Sequence, residues 1–315
     1  MITTVTLNPA IDREYFVKEH VPKEHKYLYG DGDIKVYPGG KGLLTAINLK
    51  QLGHPDVQNI GFVGGKQGLF FEKMVQDYKV TSNYIYTSNE IRNNVFIIAK
   101  DPVTYTHYND YTYKVSKRDV EDLMKRFKRA IVDSEIVIIA GSVPEGVDFD
   151  IYLRMINICN EKNKEVYLQA SGEVLNLALK AKPKVVTPYF KHTRQILDRE
   201  VVDFEDYTSV CKNLIEEGAQ HVTVPYHCSR LLCTDGKVFS LDPIDFCLTN
   251  WLGTGDAYNA GYCDYVIRNG FNFLEANKYG AAAALAVAEE KSIFIKDREQ
   301  VEKNLHRIVV KELEV

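Results

Sequence analysis

Residues 136–146 read I-V-I-I-A-G-S-V-P-E-G. Apolar, mostly β-branched residues run without a polar break into a glycine turn, the pattern of a strand buried on both faces and followed by a loop. Periodicity predicts helices on either side of it, over 117–130 and 149–161. A strand at 165–168 then meets the turn Gln169-Ala170-Ser171-Gly172. The alternation continues with a helix at 175–180, a short strand at 185–186, a helix at 205–217 and strands at 222–224, 231–234 and 238–241. An Asp235-Gly236 hairpin turn joins the last two strands. Toward the amino terminus come a strand at 2–7, a helix opened by Pro38-Gly39-Gly40-Lys41-Gly42 that stops near Gly53, a strand at 57–63 and a helix at 70–78. Two alanine-rich helices (256–268 and 273–289) and a final helix over 299–311 close the chain. Strands alternating with helices imply an α/β protein with a parallel sheet and right-handed crossovers. The short β-prone runs at 15–17, 33–37, 94–99 and 105–113 stand apart and read as a small, exposed sheet. Tyr105, Tyr108, Tyr111 and Tyr113 crowd the last run, which suits covering a ligand or meeting a partner subunit, and equally suits cross-strand packing.

The totals narrow the function. In 315 residues, 45% are hydrophobic and 26% charged, ordinary for one large globular domain. The net charge of −4 argues against a nucleic-acid surface, so any anionic ligand must be held by local Lys, Arg and backbone N–H groups. The six cysteines form no C-x-x-C pair, and the start M-I-T-T-V-T-L has neither a basic n-region nor a cleavable apolar run. Reduced thiols and a cytoplasmic setting are expected. The most apolar stretch, 279–288, is too short and alanine-rich to span a bilayer.

Chemistry concentrates at 250–262, N-W-L-G-T-G-D-A-Y-N-A-G-Y. Gly253, Thr254 and Gly255 form a turn opening a helix, whose free N–H groups and positive dipole end attract phosphate. Asp256 at its mouth could take a proton from a substrate hydroxyl, or could simply cap the helix. Asp12 lies just past the first strand's carboxyl end, where ligands sit in open parallel sheets. Gly39, Gly40 and Lys41 make a glycine turn, a cation and a helix start, which together form an anion cradle. Arg92, ahead of the run at 94–99, is a candidate anion clamp.

Four ordered turns carry a resemblance: T-L-N-P-A-I-D at 6–12, G-G-K-G at 39–42, G-S-V-P-E-G at 141–146 and G-T-G-D at 253–256. Over essentially its whole length the chain resembles the PfkB family of ribokinase-like sugar kinases, nearest to its 1-phosphofructokinase and tagatose-6-phosphate kinase branch. The resemblance implies a ribokinase-like three-layer sandwich with a mostly parallel central sheet. It also implies a small β-sheet lid at about 13–36 plus 92–113, through which a homodimer is expected. It implies transfer of the ATP γ-phosphoryl, with Mg²⁺, to a hydroxyl of a ketohexose phosphate. In this reading Asp12 binds sugar hydroxyls, Gly39, Gly40 and Lys41 line the sugar-phosphate pocket, and Arg92, in I-R-N-N-V, holds the existing phosphate. Gly253, Thr254 and Gly255 offer N–H groups to the moving phosphoryl and Asp256 is the base, while Thr223, Val224 and Gly280 touch the nucleotide.

The chain also departs from that pattern. Leu44 replaces the asparagine of G-G-K-G-x-N, and Gln169 replaces the acid of D-x-S-G. K-P-N-x-x-E reads Thr187-Pro188-Tyr189-Phe190-Lys191-His192. The S-L-G-x-x-G nucleotide loop reads Val224-Pro225-Tyr226-His227-Cys228, in which Pro225 removes an N–H donor. Two readings follow: a working kinase with altered donor contacts, or a degenerate relative that binds a sugar phosphate as a sensor or partner subunit. A kinase for another donor or acceptor, such as a nucleoside, is a third.

Overall fold

The run at 136–140 is a central strand, as expected, and the whole chain is arranged about it and the amino-terminal strand. The computed structural model describes residues 1–19, 25, 28, 33–100, 103–111, 113–189, 195–196, 199–249 and 251–314. The first half gives β1 (Ile2–Thr6), β2 (Ala10–Val17), β3 (Ile34–Gly39), α1 (Lys41–Gln51), β4 (Val57–Gly64), α2 (Gly65–Asp77), β5 (Thr81–Thr87), β6 (Arg92–Lys100), β7 (Val103–Tyr108) and α3 (Lys117–Ala130). Next come β8 (Ile136–Ala140), α4 (Ile151–Glu161), β9 (Glu165–Gln169), α5 (Glu173–Leu179), β10 (Val185–Val186), β11 (Gln195–Ile196), β12 (Arg199–Glu200) and α6 (Phe204–Glu216). The last part holds β13 (His221–Tyr226), β14 (Ser229–Thr234), β15 (Lys237–Pro243), α7 (Thr254–Asn269), α8 (Phe273–Ala288), α9 (Arg298–Glu302) and β16 (Ile308–Leu313).

A ten-stranded sheet runs in the order β16-β15-β14-β13-β10-β9-β8-β1-β4-β5, parallel from β13 to β5 and antiparallel from β13 to β16. Right-handed crossovers that move one way from β1 and the other way from β8 place α1 and α2 on one face and α3 to α6 on the other. Helices α7 and α8 pack together on the α1 face. The core is one continuous apolar cluster on both sides of this sheet. Successive strands are added in opposite directions from β1 and from β8, so the carboxyl ends of these parallel neighbours form a topological switch point, the usual place for a ligand crevice. Asn8, just past β1, donates there to Ser142 Oγ beyond β8 at 3.1 Å.

A small separate sheet stands where the lid is expected, four strands in the order β3-β2-β6-β7. It begins earlier than the sequence suggests: β2 starts at Ala10 and β3 ends at Gly39, so Asp12, Gly39 and Arg92 belong to it. Much of the stretch between β2 and β3 lies outside the described residues. The run at 105–113 is replaced by a strand over Val103–Tyr108, and Tyr113 lies beyond it, buried, its hydroxyl donating to Leu7 O at 2.9 Å. Side-chain alternation gives the lid an outer face on which Ile34, Val36 and Tyr108 are exposed.

Two expectations fail. The final helix over 299–311 is only the short α9, then a 3₁₀ turn at Leu305–Arg307, then β16 pairing antiparallel with β15. Ile308, Val309 and Val310 are β-branched, and an open sheet edge beside them outweighs a modest helical period. Strand β5 went unread because Thr81–Thr87 is largely polar; it forms through parallel pairing with β4. Among the described residues no helix is long and apolar enough to cross a membrane, and all six cysteines are free thiols.

Candidate active site

The amino terminus of α7 sits at the carboxyl ends of the parallel strands. Its cap, Gly253, holds φ 77°, and a Cβ there would stand 2.4 Å from Ile293 O, so backbone geometry and space both demand glycine. Gly253 O accepts from Asp256 N at 3.1 Å and from Ala257 N at 2.9 Å, closing the first turn. The N–H groups of the earlier positions have no intrahelical partner, which makes the turn an anion receptor. Asp256 is only 6% exposed, and its Oδ1 is buried without a hydrogen-bond partner among the described residues. Burial raises its pKa and the nearby Lys41 ammonium lowers it. An orphaned carboxylate oxygen is not that of a helix cap already satisfied.

Lys41 opens α1, and its ammonium lies 4.9 Å from the Tyr189 ring centroid. Gly39 and Gly40 lead into it. A Cβ on Gly39 would fall 2.0 Å from Asp12 Oδ2, so the carboxylate lies flat against the glycine backbone. Asp12 faces Tyr37 on β3 and Asn94 on β6, and Asn94 Nδ2 donates to Asp12 Oδ1 at 2.7 Å. Burial pushes the Asp12 carboxyl up to about 7; Asn94's bond and Arg92's charge oppose this, while Glu14 and Asp256 add to it. Arg92 donates from Nη2 to Asn8 O at 3.1 Å, and its Nε is buried without a partner among the described residues. Burial lowers its pKa and Asp12 raises it. Thus Asp12, Gly39, Gly40, Lys41, Arg92 and the Gly253–Asp256 turn gather in one region, with two carboxylates and two cations sharing a field.

Several members were not singled out by sequence. Asn94 stands two positions after Arg92 and directly opposite Asp12, a pairing that only the register supplies. Glu14 is fully buried, accepting from Tyr37 OH at 2.5 Å. Gln169, standing where the resemblance expects an acid, accepts from Asn259 Nδ2 at 2.7 Å. Asn259 Oδ1 in turn accepts from Tyr167 OH at 2.9 Å, and that hydroxyl meets Thr187 Oγ1 at 2.6 Å. Leu44 packs with Tyr37 and Ile293.

The residues expected to touch the nucleotide stand on β13 and α8. Thr223 and Val224 are fully buried in β13, with Thr223 Oγ1 donating to Asn277 Oδ1 of α8 at 2.7 Å. Gly280 packs on Tyr258 where α7 crosses α8; a Cβ there would be 2.8 Å from Tyr258 O. These placements give all three residues packing roles. In place of the glycine loop, β13 continues through Pro225 into a tight hairpin to β14, with His227 at φ 49°. Tyr226 packs edge-on against Phe204 and Tyr207. Phe190, Lys191 and His192 lie outside the described residues. Among the described residues no group of three or more His, Cys, Asp or Glu side chains could hold a metal ion.

The model of the pfkB family of carbohydrate kinases matches residues 6–297. A 1-phosphofructokinase of Bacillus subtilis (strain 168) is 30% identical over 264 residues, covering 83% of this chain and 84% of that protein. A 1-phosphofructokinase of Borreliella burgdorferi is 26% identical over 292 residues, covering 91% and 92%. The crystal structure of a possible 1-phosphofructokinase from Thermotoga maritima superposes with a TM-score of 0.93 at 30% identity, covering 99% of each chain.

Proposed function

The chain belongs to the pfkB family of carbohydrate kinases, and we propose that its acceptor is fructose 1-phosphate and its phosphoryl donor ATP. It is a sugar-phosphate kinase, a phosphotransferase with an alcohol group as acceptor. The names of its relatives support fructose 1-phosphate over fructose 6-phosphate and tagatose 6-phosphate. The observation that carries the catalytic assignment is the buried, unpartnered Oδ1 of Asp256 at the mouth of the α7 turn.

Asp256 takes the proton of the acceptor's free primary hydroxyl as that oxygen bonds to the γ-phosphorus and the bond to the ADP oxygen breaks. The N–H groups of the Gly253–Gly255 turn neutralise charge on the moving phosphoryl, the main task in a reaction that asks little covalent chemistry of the protein. Asp12, held by Asn94 against Gly39, fixes sugar hydroxyls. Arg92 and Lys41 hold the phosphate already on the sugar, Arg92 offering its unpartnered Nε. The residues fit a magnesium ion only as one carried on the donor's phosphates, where it would supply charge neutralisation. Among the described residues no group of three or more His, Cys, Asp or Glu side chains would ligate it, so the ion would be held mainly through the donor that carries it. The outer face of the lid, with Ile34, Val36 and Tyr108 exposed beside half-buried Tyr15, Val95 and Ile97, supports a homodimer formed through that sheet.

A coupled ADP-release assay against fructose 1-phosphate, fructose 6-phosphate and tagatose 6-phosphate tests the assignment, with Asp256→Asn as control. Turnover fastest on fructose 1-phosphate and abolished in the variant is expected; preference for another acceptor corrects the substrate, and an active Asp256→Asn refutes the base.

A further inference from the structure

We propose that Arg230 of β14 grips the phosphate chain of the donor nucleotide, replacing by a side chain the main-chain donors that the β13–β14 turn lacks. The proposal rests on the kinase reading above and adds a residue to it. Strand alternation fixes which way Arg230 faces. It pairs with Pro225 across the hairpin, two positions beyond the pair Thr223–Leu232. Thr223 bonds Asn277 of α8, so Pro225 and Arg230 share the side of the sheet covered by α7 and α8. Tyr226, one position on, points the other way, into Phe204 and Tyr207 beside α6.

On that side the guanidinium carbon stands 3.7 Å from the centroid of the Tyr258 ring. Tyr258 follows Thr254 by four residues, so the two share one face of α7, and helical side chains lean toward the amino terminus. The cation therefore stands over the Thr254 and Gly255 side of the anion-receiving turn. Asp256 is two residues from Tyr258, about 200° around the helix, and faces the opposite way. The acceptor groups Asp12, Arg92 and Lys41 collect on the Asp256 side, as their mutual charge effects require. Acceptor and donor thus come to α7 from opposite flanks, and Arg230 stands on the donor's.

Among the described residues no hydrogen-bond acceptor or carboxylate engages this cation. Its Nη1 is buried without a hydrogen-bond partner, and among the described residues Arg230 forms neither a side-chain hydrogen bond nor an ion pair. Its contact is the Tyr258 ring face, which orients a guanidinium without satisfying its donors. A desolvated donor left open costs free energy unless a ligand completes it. A planar fork of N–H groups matches phosphate oxygens two at a time. Pro225, directly opposite, contributes no N–H, so the strand pair presents a side-chain donor where a backbone donor is missing.

The test compares wild type with Arg230→Gln and Arg230→Lys by steady-state kinetics in both substrates and by the rise in melting temperature on adding MgATP. Ligand-free melting temperatures close to wild type verify that the variants fold, Arg230→Lys retaining the charge if the glutamine variant does not. The expected result is a KM for MgATP raised about tenfold or more in Arg230→Gln, with the acceptor's KM unchanged and the MgATP-induced thermal shift reduced in both variants. Donor KM within about twofold of wild type in both variants, or tighter nucleotide binding after substitution, overturns the proposal. Wild-type protein that turns over no sugar phosphate yet is stabilised by MgATP refutes the acceptor reading and leaves Arg230 to be judged by the thermal shift. Wild-type protein with no affinity for MgATP overturns the Arg230 proposal.

Discussion

Replacing Gly39 by alanine perturbs the acceptor site with a single methyl group. Its Cβ would sit 2.0 Å from Asp12 Oδ2 and 2.4 Å from Asp12 Cγ. Ordinary carbon–oxygen contacts begin near about 3.3 Å, so the carboxylate has to retreat by about 1.3 Å. Asp12 is held by Asn94 at 2.7 Å on its other oxygen and is almost fully enclosed, so it cannot move that far and keep the bond. A displacement of about 1 Å in a positioning group is worth on the order of 100-fold in rate, so kcat/KM for fructose 1-phosphate falls by roughly that factor. Overpacking of this kind also costs about 1–3 kcal/mol of stability. The assay is coupled ADP release at saturating ATP, with calorimetric melting in parallel. Adding Asp12→Ala to Gly39→Ala removes the clash, so the double variant melts above Gly39→Ala alone while remaining catalytically poor, a coupling that independent sites do not show. Gly39→Ala with acceptor kcat/KM within about threefold of wild type refutes the positioning argument.

Asp256→Asn lowers kcat by about 10²- to 10⁴-fold with acceptor KM nearly unchanged, measured in the same assay, because the amide cannot take the proton. Burial lifts Asp12 from 3.8 to about 7, so the folded protein binds that proton more tightly than the unfolded chain, and its stabilising effect is complete below about pH 4 and lost as pH rises to about 7. Asp12→Asn therefore gains stability over wild type between those limits, by up to about 4 kcal/mol in urea titrations at pH 8 against pH 4. Asp264 behaves oppositely: burial raises its pKa, but bonds from His54, Arg268 and Arg298 outweigh this and hold it at about 2. Its contribution is present above about pH 4 and lost as pH falls toward 2, and Asp264→Asn costs about 1–3 kcal/mol at neutral pH by leaving the partly exposed Arg268 and Arg298 without their ionic partner. Val36→Asp together with Tyr108→Asp on the outer lid face converts the expected dimer to monomer in sedimentation velocity, and an unchanged sedimentation coefficient refutes that interface.

The architecture was legible where local signals agreed with the final packing. The apolar run ending at Ala140 could only be an interior strand, and the helix at Lys117–Ala130 was read to its ends because Ser116 and Asp119 form a capping box and the periodicity is strong. The carboxyl terminus misled because Ile308, Val309 and Val310 satisfy a loose helical period, while the edge of β15 that claims them lies in another part of the chain. In the site, the glycine turns announced Asp256 and Lys41, and the end of the first strand announced Asp12, since such signals are local. Asn94 opposite Asp12, Asn259 under Gln169 and Arg230 on Tyr258 are products of register and long-range packing, which no spacing encodes. Thr223, Val224 and Gly280 were singled out by resemblance, whereas their surroundings are a polar bond inside the core and a close helix crossing.

Asp12, Asn94 and Arg92 ride on β2 and β6, whereas Asp256 and its amides ride on α7. The chain passes between the two sets at several short links, among them Leu7-Asn8-Pro9 from β1 to β2 and Gly40 from β3 to α1. On the proposed assignment, sugar choice and phosphoryl chemistry are carried by separately folded pieces of one chain. Chimaeras that exchange only Ala10–Val17, Ile34–Gly39 and Arg92–Tyr108 with a relative should retarget the acceptor and leave the nucleotide half untouched, making this fold a modular host for new sugar specificities.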